Sequence, residues 1–333
     1  MNFLNTEENN KNLRKPFFVI SFTVVVASLS AFFISSTNDL ESDLGYFDSF
    51  RQNYKIFALN IPQQMEFATE PVPISRFDVK ESFDQELLVN TYWQSNTLLN
   101  IKRANRWFPI IEPILAKNNV PDDFKYLALI ESGFKNVVSP AGAAGYWQFL
   151  KTSAKEYGLE VNDEIDERYH VEKATEAACK YLTDAKQRLG SWTLAAAAYN
   201  AGVAGVKRQM VRQNSSSYYD LLLNDETARY VFRILAAKEI LSNPTKYGFQ
   251  FRKTDLYKDI ETYEITVDTT IADLAAFAHN NNINYKLLKI FNPWLRDSSL
   301  PNKSRKTYTI KLPKEPFSGF STYSQGSLPT DSI

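Results

Sequence analysis

The stretch PDDFKYLALIESGFKNVVSPAGAAGYWQ, residues 121–148, predicts a helix that begins at Pro121 and ends at Gly133. Proline fits the first position of a helix, and the two aspartates that follow it suit the positive end of the helix dipole. Glycine accepts the left-handed conformation on which helices often end. We therefore expect one short helix, followed by a loop of mostly small residues.

One side of this predicted helix ends in a carboxylate. Phe124, Leu127, Ala128 and Glu131 follow the spacing i, i+3, i+4, i+7, which places them on one helix face. The first three are apolar, so this face covers a core or a closed cleft. Burial and the negative helix end both disfavour an ionised carboxylate, and we expect the pKa of Glu131 to be raised. A carboxyl group that stays protonated near neutral pH can act as a general acid. A salt-bridged glutamate at a helix end is the alternative.

Composition limits the classes of protein and of site. The 333 residues allow about two domains. A formal net charge of zero argues against a nucleic-acid-binding protein. The single cysteine, Cys179, forms no intramolecular disulfide, and with only His170 and His279 no zinc-binding cluster is expected. We expect no metal and no organic cofactor.

The N-terminal 40 residues are typical of a targeting segment. Lys11, Arg14 and Lys15 precede an apolar run at 17–34, which indicates a signal peptide or an uncleaved signal anchor, and we favour the anchor. The basic flank predicts that the rest of the chain lies outside the cytoplasm, on the periplasmic side of a cell envelope. Residues 41–83, which contain several prolines, are expected to be an extended spacer.

The remaining chain divides into a helical and a mixed segment. Residues 84–255 predict an all-α domain with helices at 98–108, 109–116, 175–189, 192–199 and 227–241. Residues 256–315 predict a small βααβ module, because TYEIT (262–266) and KTYTIKL (306–312) alternate as strands do and enclose two short helical patterns, 271–279 and 285–291. The tail 316–333 is rich in Ser, Gly and Pro and is expected to be disordered.

Several polar and aromatic groups follow Glu131 in the sequence. Ser132 is next to it, Gln148 closes a loop of small residues and the pair Tyr146-Trp147, and Tyr199-Asn200 ends an alanine-rich helix. An aromatic ring beside an amide is a common way to hold a sugar ring or an N-acetyl group. Taken singly, Gln148 could equally brace its loop and Tyr199 could belong to the core.

An acidic cluster at 163–167 could supply a second carboxylate. Asp163, Glu164, Asp166 and Glu167 lie within five residues. We interpret them as a solvated loop or a helix cap.

Taken together and in order, these motifs resemble those of the lytic murein transglycosylases of glycoside hydrolase family 23, which are related to goose-type lysozyme. The resemblance rests on ESGF (131–134), GAAGYWQF (142–149), AYNAG (198–202) and ETARYV (226–231), and the order is most similar to that of the membrane-bound D type. It implies a mainly α fold, with a lysozyme-like all-α catalytic domain followed by a small α+β module.

The resemblance also implies a reaction with one catalytic carboxyl group. Glu131 would protonate the glycosidic oxygen between N-acetylmuramic acid and N-acetylglucosamine. It would then deprotonate the muramic C6 hydroxyl, leaving a 1,6-anhydro end. Ser132, Gln148 and Asn200 would contact the glycan, while Tyr199 and Tyr230 would line the cleft. The partner would be peptidoglycan glycan strands, bound by a monomer held at the membrane. A lysozyme-like hydrolase and a catalytically silent wall-binding scaffold are the alternatives.

The βααβ module resembles a LysM domain. Tyr263 to Ile271, LLKIFNP (287–293) and YTIKLP (308–313) match its parts in order. Val267 stands where the family has a glycine before the aspartate. The module is therefore either a sugar-binding module or one that has lost sugar binding and stabilises or spaces the fold.

Overall fold

A computed structural model describes Gly45 and residues 56–314 of the chain. The described part is mainly helical with a small two-stranded sheet near its C-terminus, which confirms the predicted fold class. The helices of the first domain are α1 (Phe77–Tyr92), α2 (Gln94–Lys117), α3 (Phe124–Ser132), α4 (Lys151–Glu156), α5 (Val171–Leu189), α6 (Trp192–Ala201), α7 (Val203–Gln213) and α8 (Asp225–Ser242).

Helix α3 is shorter at its N-terminus than the sequence predicts. It begins at Phe124 rather than Pro121, and it ends where predicted, at Gly133 with φ 56°. The amides of Phe124 and Lys125 donate to carbonyls three residues earlier rather than four, as in a tighter turn. The Asp123 Oδ2 accepts hydrogen bonds from the Ala68 amide and the Lys238 ammonium group, both at 2.7 Å. The carboxylate therefore links α3 to other elements, and the residues before it form a turn.

Helix α2 is longer than predicted. The sequence indicates a helix boundary at Pro109, but α2 continues through Pro109 and Pro113 to Lys117, so the predicted boundary is wrong. A proline inside a helix removes one backbone hydrogen bond. Both prolines lie on the exposed side of α2, while Ile111 and Leu115 on the other side are fully buried. Packing of that buried side holds the helix together across the prolines.

Helix α6 lies at the centre of the domain. It contacts α5, α7 and α8, and its alanines at 195–198 are 0 % exposed. Small side chains let neighbouring helices approach closely, as the alanine-rich sequence predicts. The same packing brings α8 against both α1 and α3.

Part of the predicted spacer is folded, contrary to the expectation of an extended segment. Strands β1 (Met65–Phe67) and β2 (Glu70–Val72) form an antiparallel hairpin, and α1 already begins at Phe77. Phe67 is 0 % exposed, and its ring lies 5.3 Å from that of Phe124. Apolar residues between the prolines therefore anchor this segment to the helical core.

The C-terminal module has the predicted βααβ order. Strand β3 (Thr262–Val267) pairs antiparallel with β4 (Tyr308–Pro313), from Thr262 opposite Pro313 to Val267 opposite Tyr308. Between them lie α9 (Leu274–Asn280) and α10 (Tyr285–Phe291). Helix α9 starts three residues later than predicted, because the Asp273 carboxylate accepts hydrogen bonds from the first amides of the helix.

No helix among residues 56–314 is both long enough and apolar enough to cross a membrane. The predicted signal peptide or anchor (residues 1–40) and the predicted disordered tail (316–333) lie outside the described residues.

Candidate active site around Glu131

Glu131 lies in the last turn of α3, on the face that the sequence predicts. Phe124, Leu127 and Ala128 on the same face are 0 % exposed, whereas Glu131 is only partly buried. The three apolar residues bury the helix in the core, and the carboxyl group emerges where that face meets α8.

Tyr230 of α8 donates a hydrogen bond from its hydroxyl to Oε1 of Glu131. The tyrosine is 1 % exposed, so its position is set by the packing of α8 against α3. Oε2 of Glu131 accepts no hydrogen bond from any described residue. One carboxyl oxygen is thus held by the protein, and the other remains for a ligand.

The pKa of Glu131 is raised above its ordinary value, as the sequence analysis expects. The largest cause is burial, and the charge of Glu226 adds to it. The hydrogen bond from Tyr230 and the positive charge of Arg233 act in the opposite direction, but burial outweighs them. A carboxylic acid in this environment retains its proton to a higher pH than an exposed one, which is the property required of a general acid.

Tyr199 also lies close to this carboxyl group, but its hydroxyl is bound elsewhere. Burial raises the pKa of Tyr199 well above its ordinary value, and the charge of Glu131 contributes. Its hydroxyl donates to the backbone carbonyl of Trp147 at 2.7 Å. Tyr199 therefore connects the end of α6 to the loop before α4, in addition to standing beside Glu131.

Ser132 and Gln148 both brace this loop. The Ser132 hydroxyl donates to the carbonyl of Tyr146 at 2.9 Å and is 5 % exposed. The Gln148 Nε2 donates to the carbonyls of Val137 and Gly145, at 3.1 and 2.8 Å. The Ser132 hydroxyl points at the backbone and not into open space. Gln148 keeps its amide oxygen without a partner among the described residues.

Asn200 binds two residues at the start of α8. Its Nδ2 donates to Oε1 of Glu226 at 3.1 Å, and its Oδ1 accepts from the Thr227 hydroxyl at 2.7 Å. The asparagine therefore holds Glu226, the second carboxyl group that influences Glu131.

Sequence reasoning did not single out Glu226 or Arg233. With Tyr230 they follow the spacing i, i+4, i+7, which places all three on one face of α8. The signal in the sequence is the same helical spacing that places Glu131 on the face of α3.

Two carboxylates of the acidic cluster at 163–167 are engaged in ion pairs. Asp166 is 7 % exposed and pairs with Arg168 at 2.7 Å, and Glu167 is 3 % exposed and pairs with Lys173 at 2.5 Å. Asp166 also caps the short 3-10 turn at 167–169. The prediction of a cap is therefore confirmed for Asp166. Asp166 and Glu167 are buried, however, so the prediction of a solvated loop is wrong for these two residues.

Neither a metal site nor the cavity of the described part includes Glu131. Within residues 56–314, no group of three or more His, Cys, Asp or Glu side chains could hold a metal ion. A cavity of about 400 Å³ lies between the helical domain and the C-terminal module, with Trp107, Glu172 and Lys311 in its wall. Glu131 is not part of that wall, so the candidate active site rests on the contacts around Glu131.

Two family models and two curated relatives match this chain. Residues 108–222 match the family model of the transglycosylase SLT domain, and residues 263–316 match that of the soluble lytic transglycosylase C-terminal LysM-like domain. Over 228 residues the chain is 29% identical to membrane-bound lytic murein transglycosylase D of Escherichia coli strain K12 and to that of strain O6:H1. The match covers 67% of this chain and 49% of each relative, so the chain spans about half the length of these curated relatives.

Proposed function

We propose that this chain, which carries a transglycosylase SLT domain and a C-terminal LysM-like domain, is a peptidoglycan lytic transglycosylase. It would cleave the β-1,4 bond between N-acetylmuramic acid and N-acetylglucosamine and leave 1,6-anhydro-N-acetylmuramic acid ends. The observation that carries the proposal is the partly buried carboxyl group of Glu131, with its raised pKa and its one free oxygen, within the SLT domain.

In the first step, protonated Glu131 donates its proton to the glycosidic oxygen as the bond to the muramic C1 breaks. The substrate's own N-acetyl oxygen stabilises the electron-poor C1. In the second step, the Glu131 carboxylate accepts the proton of the muramic C6 hydroxyl while that oxygen bonds to C1. The carboxyl group ends protonated, as it began, and no water is consumed. The raised pKa favours the first step, and the hydrogen bond from Tyr230 stabilises the carboxylate needed in the second.

A hydrolase of the same fold is the second candidate function. Most glycosidases use two carboxyl groups, and Glu226 is near enough to raise the pKa of Glu131. Its Oε1, however, is bound by Asn200. The two reactions differ in their products, because a hydrolase releases reducing muramic ends and a transglycosylase releases ends lighter by one water.

The test is digestion of purified sacculi by the wild type and by Glu131→Gln, with mass spectrometry of the soluble muropeptides. Loss of a general acid lowers the rate by about 10²-fold or more, so we expect anhydro-muropeptide release to fall by at least that factor. Glu156→Gln, which alters an exposed glutamate of α4, is the matched control. Wild-type release by Glu131→Gln would show that the site is wrongly assigned.

Glu226→Gln separates the two candidate functions. For a transglycosylase, the products of this variant remain anhydro ends. Wild-type products with reducing ends, abolished in Glu226→Gln, would support the hydrolase. No soluble product from the wild type would favour the silent scaffold.

The substrate contacts are also part of the proposal. Gln148, through its free amide oxygen, and Asn200 would bind N-acetyl or backbone groups of the glycan, and Tyr199 and Tyr230 would line the cleft. Direct glycan contact by Ser132 has the least support, because its hydroxyl is bound to the backbone. The catalytic domain would extend from the hairpin at Met65 to residue 255, and the LysM-like module over 256–315.

The proposed location is the periplasmic side of the envelope, with the apolar run at 17–34 as a membrane anchor. Alkaline extraction of membranes from cells that express the full chain tests this. An anchored protein stays in the pellet, whereas a cleaved or peripheral one appears in the supernatant.

A further inference from the structure

The LysM-like module and the helical domain share one hydrophobic core. Ala144, Ile165 and Tyr169 of the helical domain are at most 4 % exposed and pack in the same cluster as the buried side chains of the module, such as Leu288 and Leu295. Ala144 belongs to the loop at 139–149, which precedes α4. The module thus buries part of a loop that contacts the candidate active site.

Backbone pairing joins the two parts as well. The Asp166 amide donates to the Trp294 carbonyl at 2.9 Å, and the Arg296 amide donates to the Glu164 carbonyl at 2.8 Å. These bonds flank a β-bridge between Ile165 and Leu295. A module tethered only by a linker would not share a bridge of this kind.

Charged side chains also link the module to the helical domain. Lys306 pairs with Glu160, and Lys311 pairs with Glu172. The Arg296 guanidinium lies 4.2 Å from the centre of the Tyr169 ring. The segment at 160–172 is therefore fixed to the module along its length.

That segment in turn holds the loop through Arg168. The Arg168 side chain is 10 % exposed, and its Nε and Nη2 bind the Asp166 carboxylate at 2.9 and 2.7 Å. Its Nη1 donates to the carbonyls of Gly142 and Phe149, at 2.9 and 3.1 Å. One planar guanidinium group thus ties together two points of the loop seven residues apart.

Gly145 is a further point of contact between the loop and the segment at 160–172. Gly145 has φ 80°, and a Cβ there would lie 1.9 Å from the Arg168 carbonyl oxygen. Only glycine fits, so the backbones of the loop and of the segment at 160–172 lie directly against each other.

The loop reaches Glu131 through two carbonyl groups. The Tyr146 carbonyl accepts from Ser132, the neighbour of Glu131, and the Trp147 carbonyl accepts from Tyr199. A shift of the loop would therefore move both the end of α3 and the tyrosine beside the carboxyl group.

We propose that Arg168 is a positioning residue for the loop at 142–149, and that the docked LysM-like module holds Arg168 in place. The module is then a fixed part of the catalytic unit rather than a mobile sugar-binding attachment. This inference rests on the proposed function for its catalytic consequence, but its structural part can be measured without activity.

The first test is Arg168→Lys, with exposed Arg212→Lys as the matched control. Lysine keeps the charge but lacks the planar fork that binds a carboxylate and two carbonyls at once. Amides at 142–149 should exchange with deuterium about 10-fold faster, while those in the middle of α8 stay protected. kcat should fall by about 10-fold to 100-fold, as for a displaced catalytic group, with a smaller change in KM.

The pH profile gives a readout that a general loss of stability would not produce. A looser loop admits water to Glu131, and burial is the main cause of its raised pKa. The alkaline limb of kcat/KM should therefore move to lower pH in Arg168→Lys. Arg212→Lys should retain the wild-type profile.

The second test changes residues of the module and remains available if Arg168→Lys does not fold. Leu295→Ala and Leu300→Ala remove the same volume from residues that are both 1 % exposed. Leu295 bridges to Ile165 of the helical domain, whereas Leu300 bridges to Ile271 within the module. Only Leu295→Ala should raise exchange at 142–149 and lower kcat.

Unchanged exchange and unchanged kcat in Arg168→Lys or in Leu295→Ala would overturn the inference. Equal effects of Leu295→Ala and Leu300→Ala would also overturn the part assigned to the module. A wild type without lytic activity would refute the proposed function alone, because the exchange measurements would still decide whether Arg168 and the module hold the loop.

Discussion

At the scale of single residues, Glu131 is subject to opposing influences. Burial and the charge of Glu226 favour its protonated form, whereas Tyr230 and Arg233 favour the carboxylate. In the proposed reaction Glu131 serves first as acid and then as base, and such a balance would suit both steps, since neither form is excluded.

Tyr230→Phe should move the alkaline limb of the kcat/KM profile to higher pH. The tyrosine hydroxyl donates to Glu131 and so lowers the pKa of that carboxyl group. Without this bond the protonated acid persists to a higher pH. Tyr247→Phe is the control, because its hydroxyl donates to the Glu239 carboxylate and not to Glu131. A limb that moves to lower pH in Tyr230→Phe would contradict this account.

Glu131→Gln should stabilise the fold in a pH-dependent way. The folded protein binds the Glu131 proton more tightly than the unfolded chain, whose ordinary pKa is 4.5. This contribution to stability is fully present below that pKa and is lost as pH rises through the folded-state pKa. Since Gln cannot ionise, the variant should gain thermal stability over the wild type at about pH 7.5 and little at about pH 4. Equal differences at both pH values would contradict the raised pKa.

At the scale of secondary structure, α8 brings together the groups that act on Glu131. One of its faces carries Glu226, Tyr230 and Arg233, which all influence the pKa of Glu131. Arg229, next to Tyr230, reaches α1 instead, where its Nε donates to Glu86 at 2.6 Å. Glu86 is 1 % exposed, so the packing of α8 on α1 includes a buried carboxylate whose one cationic partner among residues 56–314 is Arg229.

Arg229→Met should lower the free energy of unfolding by about 3 kcal/mol, because it leaves the buried Glu86 carboxylate without a counter-charge. Adding Glu86→Gln should recover much of that loss. Chemical denaturation of the two single variants and the double variant measures the coupling. Asp225→Ala is the control, since Asp225 is exposed and 3.5 Å from Arg229, and it should change stability by about 0.5 kcal/mol or less.

Helix α2 shows why local sequence rules misplace some boundaries. Pro109 and Pro113 each remove a helix hydrogen bond. A rule based on local sequence includes the cost of the lost hydrogen bonds. It does not include the stabilisation gained when the apolar side of α2 packs against α5. The predicted helix end at Gly133 is confirmed, because a left-handed cap depends on the conformational freedom of the glycine itself.

At the scale of the whole molecule, the contact between the module and the helical domain can be locked. Ile165 and Leu295 face each other in a β-bridge with hydrogen bonds on either side. Such non-hydrogen-bonded pairs bring the two Cα atoms to about 4.5 Å, within the range of disulfides.

The double variant Ile165→Cys with Leu295→Cys should therefore form a disulfide and be at least as active when oxidised as when reduced. If the module stays docked during turnover, the cross-link does not restrict any motion that the reaction requires. The same protein before and after reduction provides its own control. Buried Cys179 is present in both states. Lower activity in the oxidised form would mean that the module has to separate during the reaction.

The sequence by itself determined the features that depend on neighbouring residues. The apolar stripe that ends at Glu131, the glycine at the end of α3 and the βααβ order of the module follow from periodicity and from backbone preferences over a few positions. The family motifs predict a role for the same carboxyl group.

Only the tertiary structure decided which distant residues meet. Tyr230 is 99 residues from Glu131, and Lys311 is 139 residues from Glu172. Such pairs are set by the way helices and strands pack, which no local pattern encodes. The same packing holds the loop of small residues through Arg168 and through the module.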